Sequence, residues 1–89
     1  MTKERLETIT TEITTLLLQK NQDYGGASFD LGLIGNMVHL WDKVRRYRNL
    51  VEKGAEQANF ESLEDTLRDI IGYGMIGLLI LEQEQNTAS

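Results

Sequence analysis

Residues 70–81 read IIGYGMIGLLIL, and almost every one of them is apolar or glycine. Such a run favours a helix, because the chain of 89 residues contains no proline to interrupt one. A helix that is apolar on all sides must be surrounded by other elements, and two more helices from so short a chain cannot surround it. The run therefore predicts a homo-oligomer, a dimer or a tetramer, with Ile76, Leu79 and Ile80 at the interface.

The same run contains three glycines, Gly72, Gly74 and Gly77. In a helix interior each is less favourable than alanine by about 1 kcal/mol, so we expect them to permit close approach of neighbouring helices. The run is also too short and too rich in glycine to span a membrane, which takes about 20 apolar residues. We therefore expect no membrane partner.

Composition excludes several classes of protein. The chain has 9 basic and 14 acidic side chains and a net charge of -5, which argues against binding duplex nucleic acid. It has no cysteine, so disulfides and cysteine-type zinc sites are excluded. A hydrophobic content of 40% argues against disorder. No apolar signal segment follows Met1, so we expect a cytoplasmic protein.

Apolar residues at helical spacing predict two further helices upstream of the run. The first covers about residues 3–19, and its apolar stripe is Leu6, Ile9, Ile13, Leu16 and Leu17. The second covers about residues 33–52, and its predicted core sector is Leu33, Ile34, Met37, Val38, Trp41, Val44 and Val51. His39, Lys43 and Arg46 lie on the opposite sector.

The third helix covers about residues 60–82, with Asn59 or Ser62 as its N-cap, and a polar tail follows at 83–89. Gly54 ends the second helix, and Gly25-Gly26 lies in the first loop. The fold prediction is a single all-α domain over residues 1–89. It is a three-helix antiparallel bundle completed by homo-oligomerisation.

Two aspartates on the third helix are candidate metal ligands. Asp65 and Asp69 are four residues apart and share a face, with Glu61 one turn earlier. Stacked carboxylates repel one another unless a cation lies between them, and Mg²⁺ prefers oxygen ligands of this kind. The alternative is that these acids are favoured by the helix dipole or form a solvated face.

The basic cluster at residues 42–48, DKVRRYR, is a candidate phosphate site. Lys43 and Arg46 share a face, and their ammonium and guanidinium groups match phosphate oxygens. The alternative is a solubilising helix face with intrahelical pairs such as Asp42 with Arg46. His39, one turn before Lys43, is more often structural than catalytic at such a position.

Lys20, Asp23 and Tyr24 form a third candidate group where the first helix ends. Lys20 continues the apolar stripe, so it points inward, and the aspartate and tyrosine could hold a polar ligand. The alternative is a helix C-cap made by lysine and a glycine turn. Together the three groups combine metal-type acids with phosphate-type bases, as a magnesium-bound nucleotide requires. No P-loop motif is present, so an ordinary NTPase is excluded.

The order of these motifs resembles the nucleotide modification associated domain family, small helical proteins common in phages and prophages. The resemblance covers about residues 16–80 and is carried by four blocks: Lys20-x-x-Asp23-Tyr24-Gly25, Gly32-x-x-Gly35, Asp42-Lys43-x-x-Arg46-x-x-x-Leu50, and Asn59-x-Glu61-Ser62-x-x-Asp65-Thr66-x-x-Asp69-Ile70-x-x-Tyr73. It implies a role in nucleotide or base-modification metabolism.

The acidic third helix is also similar to the MazG-type all-α NTP pyrophosphohydrolases, which use Mg²⁺ and two acidic helices. Glu61 to Asp69 can stand for the second acidic helix of those enzymes. Their E-E-x-x-E element is missing, because Glu4, Glu7 and Glu12 do not have its spacing. This difference makes nucleotide binding a firmer expectation than hydrolysis, and no catalytic residue is assigned.

Three functional readings follow. In the first, Lys20, Lys43 and Arg46 bind nucleotide phosphates, and the three acids hold Mg²⁺ for a triphosphate pyrophosphohydrolase whose metal-activated water attacks phosphorus. In the second, the protein sequesters a nucleotide, such as a host defence signal, without turnover. In the third, it is a helical adaptor for another protein, which predicts that these polar residues are exposed and dispersed.

Overall fold

The computed structural model describes the backbone of residues 1–24, 29–54 and 57–88, and the side chains of residues 1–23, 29–54 and 62–86. These residues form three α-helices and no β-strand: α1 Lys3–Tyr24, α2 Gly32–Lys53 and α3 Gln57–Ala88. The predicted all-α class is therefore confirmed. Within the described residues, none of the helices combines the length and the apolarity needed to cross a membrane.

Two helices run further than predicted. α1 passes the predicted end at Gln19 and continues to Tyr24, because no glycine or proline interrupts it before Gly25. α3 begins at Gln57, so Ser62 lies inside the helix rather than capping it. The carbonyl of Ser62 accepts a hydrogen bond from the hydroxyl of Thr66 at 2.6 Å. α3 also continues through the predicted polar tail to Ala88, since Glu and Gln are good helix formers.

The ends of α2 agree with prediction to within one residue. Gly54 ends the helix with a φ of 89° and donates its N–H to the carbonyl of Val51 at 3.3 Å. The helix begins after Leu31, a non-glycine residue with a φ of 71°. The predicted Gly25-Gly26 loop lies outside the described residues.

α3 is the central helix and is antiparallel to both others. Lys20 of α1 and Lys43 of α2 both contact Asp69 of α3, whereas the earlier residues Leu17 and Asn36 approach the later positions Gly72 and Gly77. α2 packs against α3 more extensively than α1 does. Among the described residues, the backbones of α1 and α2 do not approach each other closely.

The core within one chain is small. Its buried apolar side chains are Ile13, Ile76 and Ile80, and Asn36 and Thr66 are buried with them. On α1, Leu16 and Leu17 are half-buried, whereas Leu6 and Ile9 are exposed. Ile76 and Ile80 therefore pack inside the protomer, and their predicted place at a subunit interface is wrong. Only Leu79 of that trio is exposed.

The predicted core sector of α2 faces away from α3. All seven of its apolar side chains are exposed: Leu33, Ile34, Met37, Val38, Trp41, Val44 and Val51. The opposite sector makes the contacts, because Asn36 and Lys43 find specific polar partners on α3. The sequence prediction was wrong here because it assumed that the apolar side of a helix packs within its own chain.

The surface of the protomer is large for its mass. The accessible surface is 7057 Å², whereas a compact monomer of 10.1 kDa exposes roughly 5,300 Å². The radius of gyration is 14.7 Å, against roughly 12 Å for a compact chain of this length. The protomer is therefore more extended and exposes more surface than a compact monomer of its mass.

Two of the three α3 glycines lie at close helix contacts, as predicted. A Cβ at Gly72 would lie 3.2 Å from Leu17 Cδ2 on α1, and one at Gly77 would lie 2.8 Å from Asn36 Oδ1 on α2. Asn36 is held in place because its Nδ2 donates to the backbone carbonyl of Tyr73 at 2.8 Å. Gly74 differs, since a Cβ there would meet nothing within 4 Å.

We expect Gly77→Ala to lower the free energy of unfolding by about 1–3 kcal/mol, because overpacking at this contact displaces Asn36. The clash should disappear in an Asn36→Ala background, where the added methyl has room and alanine favours the helix by about 1 kcal/mol. Urea unfolding of both single variants and the double variant measures this coupling. Strictly additive effects would show that Asn36 is not what the glycine accommodates.

Candidate functional site

Three of the predicted site residues meet where the three helices come together. The carboxylate of Asp69 on α3 accepts a hydrogen bond from Lys20 Nζ of α1 at 3.3 Å, and its second oxygen lies 3.0 Å from Lys43 Nζ of α2. We call these three residues the lysine–aspartate junction. It joins residues that are 23 and 26 positions apart in the sequence (43 less 20, and 69 less 43).

Helix geometry explains why these residues meet. The extension of α1 beyond Gln19 keeps Lys20 on the helical stripe that includes Leu17 and faces α3. Lys43 lies on the α2 sector that contacts α3, one turn after His39. The inward direction of Lys20 and the polar sector of Lys43 were predicted from the sequence, whereas only the structure shows that both lysines share Asp69.

The junction is cationic and open to solvent. Two lysines against one aspartate leave one net positive charge. The side chains of Lys20, Lys43 and Asp69 are 47%, 32% and 21% exposed. Each ammonium has three N–H donors and directs one toward Asp69, so donors remain on both lysines for an anion.

Arg68 and Tyr73 flank the junction on α3. Arg68 and Tyr73 line a small cavity together with Lys20, Asp69 and apolar residues of α1. The ring of Tyr73 stacks on that of His39, with centroids 5.4 Å apart and planes 10° from parallel. His39 is thus engaged in helix packing, in agreement with its structural interpretation.

A second cavity, of about 180 Å³, adjoins Lys20 and is mainly apolar. Its lining residues come from α1, from α3 and from the segment before α2: Leu17, Leu18, Lys20, Asn21, Phe29, Ile76 and Leu79. Lys20 belongs to both cavities, so a cationic group and an apolar recess are adjacent. The sequence reading did not identify this recess, because its residues come from separate segments.

Two of the three predicted metal ligands, Asp65 and Asp69, lie in the described part of the chain and face cationic side chains. Asp65 Oδ1 is 3.3 Å from Arg68 Nη1 and the Asp65 side chain is largely exposed, and both oxygens of Asp69 face lysines. The side chain of Glu61 lies outside the described residues. Among side chains 1–23, 29–54 and 62–86, no group of three His, Cys, Asp or Glu is placed to hold a metal ion. The Mg²⁺ site therefore stays a prediction.

The remaining predicted residues lie apart from the junction. Asp23 is exposed near the end of α1, and the side chain of Tyr24 lies outside the described residues. Arg46 is exposed one turn after Lys43 and lines a shallow depression of α2 with Asp42, Arg45 and Asn49. The phosphate site predicted from the sequence is therefore only partly assembled.

Asn36 and Arg68 were missed as site-supporting residues. Asn36 is buried, and its bond to the Tyr73 carbonyl holds α2 against α3 beside the junction. Arg68 contacts Glu12 at 3.8 Å and Glu64 at 3.6 Å, so it connects α1 to α3. The sequence carries no signal that pairs Asn36 with Gly77, because the two residues are remote in sequence and only the structure brings them together.

Comparison with known proteins supports the motif reading. The chain matches the family described as Nucleotide modification associated domain 1 over residues 20–81, a range that contains the whole lysine–aspartate junction. No curated protein matches the chain, and no solved structure matches it. The similarity to MazG-type enzymes stays a prediction. Since the match covers well over half of its length, the chain belongs to the Nucleotide modification associated domain 1 family.

Proposed function

We propose that the protein binds a nucleotide, with the phosphates at the lysine–aspartate junction. The observation that carries the proposal is the convergence of Lys20, Lys43 and Asp69 from three helices. A structural ion pair needs only one lysine for one carboxylate, so the second lysine leaves charge available for an anion. An ammonium group near phosphate forms charge-assisted bonds that are about twice as strong as neutral ones.

The apolar recess beside Lys20 favours a nucleotide over free phosphate. A ligand with its phosphates on Lys20 and Lys43 can place a flat, largely apolar group against Leu17, Phe29 and Leu79. Asn21 lines the same recess and carries both a donor and an acceptor for a base edge. Small-molecule sites commonly combine an apolar wall with a few polar groups in this way.

Sequestration without turnover is the form of the proposal that the contacts favour. Hydrolysis through a metal-activated water needs a metal site, and the carboxylates of Asp65 and Asp69 are paired with cations instead. A Mg²⁺-dependent pyrophosphohydrolase acting in nucleotide or base-modification metabolism is the second candidate. It rests on the family and on the acidic spacing of Glu61, Asp65 and Asp69.

A nucleotide binder of this kind would work in the cytoplasm, in a bacterial host if the gene is phage-borne, as a homo-oligomer of dimer or tetramer size. Exposed apolar surface supports the assembly. A helical adaptor is the remaining alternative. The convergence of Lys20, Lys43 and Asp69 speaks against the dispersal that the adaptor reading predicted.

We expect the Lys20→Gln, Lys43→Gln double variant to lose nucleotide affinity. Each charge-assisted bond to phosphate contributes about 1.5–3 kcal/mol, or roughly a 10- to 150-fold change per lysine. Stability should change little, because exposed ion pairs contribute about 0–1 kcal/mol. Calorimetry with a panel of nucleotides measures the binding, and thermal unfolding measures the fold.

The matched control is the Lys3→Gln, Arg5→Gln double variant, which removes the same charge from the exposed start of α1. It should bind like the wild type. Chromatography of the incubated nucleotide, with and without Mg²⁺, separates retention from turnover. Equal binding by wild type, junction variant and control would reject the site, and no binding by the wild type would favour the adaptor.

A further inference from the structure

We infer that two copies of this chain dock through one apolar face formed by α2 and α3. We call it the α2–α3 apolar face, and it is defined by Met37, Trp41 and Val44 of α2 with Leu67, Ile71 and Leu78 of α3. All six side chains are exposed in the protomer, and Trp41, the only tryptophan of the chain, is 64% exposed. Six large apolar side chains in helical register are more than the scattered exposure that monomers normally show.

Both halves of the face have helical spacing. Residues 37, 41 and 44 on α2, and 67, 71, 74 and 78 on α3, follow the three–four repeat of a single helix face. Gly74 lies in the middle of the α3 stripe, where a Cβ would meet nothing within 4 Å, so the face has an indentation there. This repeat is typical of helices that pack against other helices.

The two stripes lie on the same side of the α2–α3 pair. On each helix, the exposed stripe lies roughly 110–130° around the helix axis from the residues that contact the other helix. The rotation has the same sense on both helices when each is followed from its N-terminus to its C-terminus. Because α2 and α3 are antiparallel, equal turns bring both stripes to one side. On α3 this side is opposite the line through Gly72 and Ile76 that faces α1.

The surface area favours a second copy of the chain as the occupant of this face. The protomer exposes 7057 Å², roughly 1,800 Å² more than a compact monomer of its mass. A standard interface buries about 800 Å² on each partner, and an obligate homodimer buries about 1,000–2,500 Å² on each partner. The excess falls within the area that one protomer of an obligate dimer buries, and obligate interfaces are more apolar than transient ones.

The face is also suited to pairing with itself. In a two-fold dimer the same patch serves both copies, and α2 and α3 of each copy would form a four-helix core with α1 outside. The charged residue that follows the α2 stripe, Arg48, is largely exposed and paired with Glu52 at 3.1 Å. It would lie at the rim, where interfaces are polar.

If the proposed nucleotide site is correct, the dimer carries two separate sites. The lysine–aspartate junction includes Lys20 of α1, which lies on the side of α3 away from the α2–α3 apolar face. Each protomer should therefore bind one ligand, with no residue from the partner. Assembly and ligand binding can then be tested independently.

Sedimentation equilibrium at micromolar concentration should give the wild type twice the chain mass of 10.1 kDa. Trp41→Glu should give the monomer mass with its helical circular dichroism retained, because a charge at the centre of the face cannot be buried unpaired. Dilution of the wild type should shift the Trp41 fluorescence to the red as the indole becomes solvated. A monomeric wild type, or a dimer that Trp41→Glu leaves intact, would overturn the inference.

Leu18→Glu is the matched control, since Leu18 is 67% exposed but lies on α1. This variant should remain dimeric, and its dissociation would place the interface elsewhere. If Trp41→Glu does not fold, Leu78→Lys is used in its place. A monomeric Leu78→Lys variant would support the interface, and a dimeric one would overturn it. The Lys20→Gln, Lys43→Gln variant should stay dimeric. Loss of nucleotide binding by this variant therefore tests the proposed function, and loss of assembly by Trp41→Glu tests the dimer.

Discussion

Ile76→Ala should lower the free energy of unfolding by about 2–5 kcal/mol, the range measured when a buried aliphatic side chain is truncated. Ile76 is only 6% exposed and lies among Ile13, Leu16 and Leu17 of α1 and Tyr73 of α3. The core holds only two other buried apolar side chains among the described residues. The loss is therefore a large fraction of the 5–15 kcal/mol that stabilises most domains.

The control for this experiment is Leu6→Ala, which removes a similar side chain from an exposed position on α1. It should change stability by about 0.5 kcal/mol or less. Urea unfolding must be run at one fixed protein concentration, because dimerisation would add to the apparent stability. If Ile76→Ala lowered the assembled mass while leaving the protomer folded and equally stable, the residue would belong to an interface after all.

Asp69→Asn should raise nucleotide affinity in the absence of metal by about fivefold. The substitution keeps the shape of the side chain and removes one negative charge between Lys20 and Lys43. One more net unit charge at about 4 Å attracts phosphate by about 1 kcal/mol in water. Calorimetry in a chelator measures this gain, and repetition in Mg²⁺ tests the metal prediction.

The two proposed roles of Asp69 predict opposite effects of Asp69→Asn on nucleotide affinity. If Asp69 holds Mg²⁺ with Asp65 and Glu61, Asp69→Asn should weaken binding in Mg²⁺ and leave binding in chelator unchanged. Asp65→Asn is the matched control, because it removes the same charge one turn away, where Asp65 pairs with Arg68. A purely electrostatic junction predicts little effect of Asp65→Asn, whereas a shared metal site predicts that both variants lose metal-dependent binding.

Parts of the site followed from sequence spacing alone. Lys20 follows Ile13 and Leu17 at helical spacing, which predicted that it points inward, and it does contact α3. The surroundings of the predicted metal ligands could not be predicted from spacing. Spacing shows which carboxylates share a helix face, but it does not show which cationic side chains lie opposite them. Lys43 of α2 pairs with Asp69, and Arg68, one turn after Asp65 on α3, pairs with Asp65.

The sequence by itself determined that the chain is helical, where α2 begins and ends, and that Gly72 and Gly77 admit close neighbours. These properties depend on local geometry, on proline and glycine, and on spacing along one helix. Only the tertiary structure decided which face of α2 meets α3, because that choice depends on partners remote in sequence. Asn36 and Lys43 find a carbonyl and a carboxylate on α3, and the apolar face of Trp41 is left accessible to another molecule.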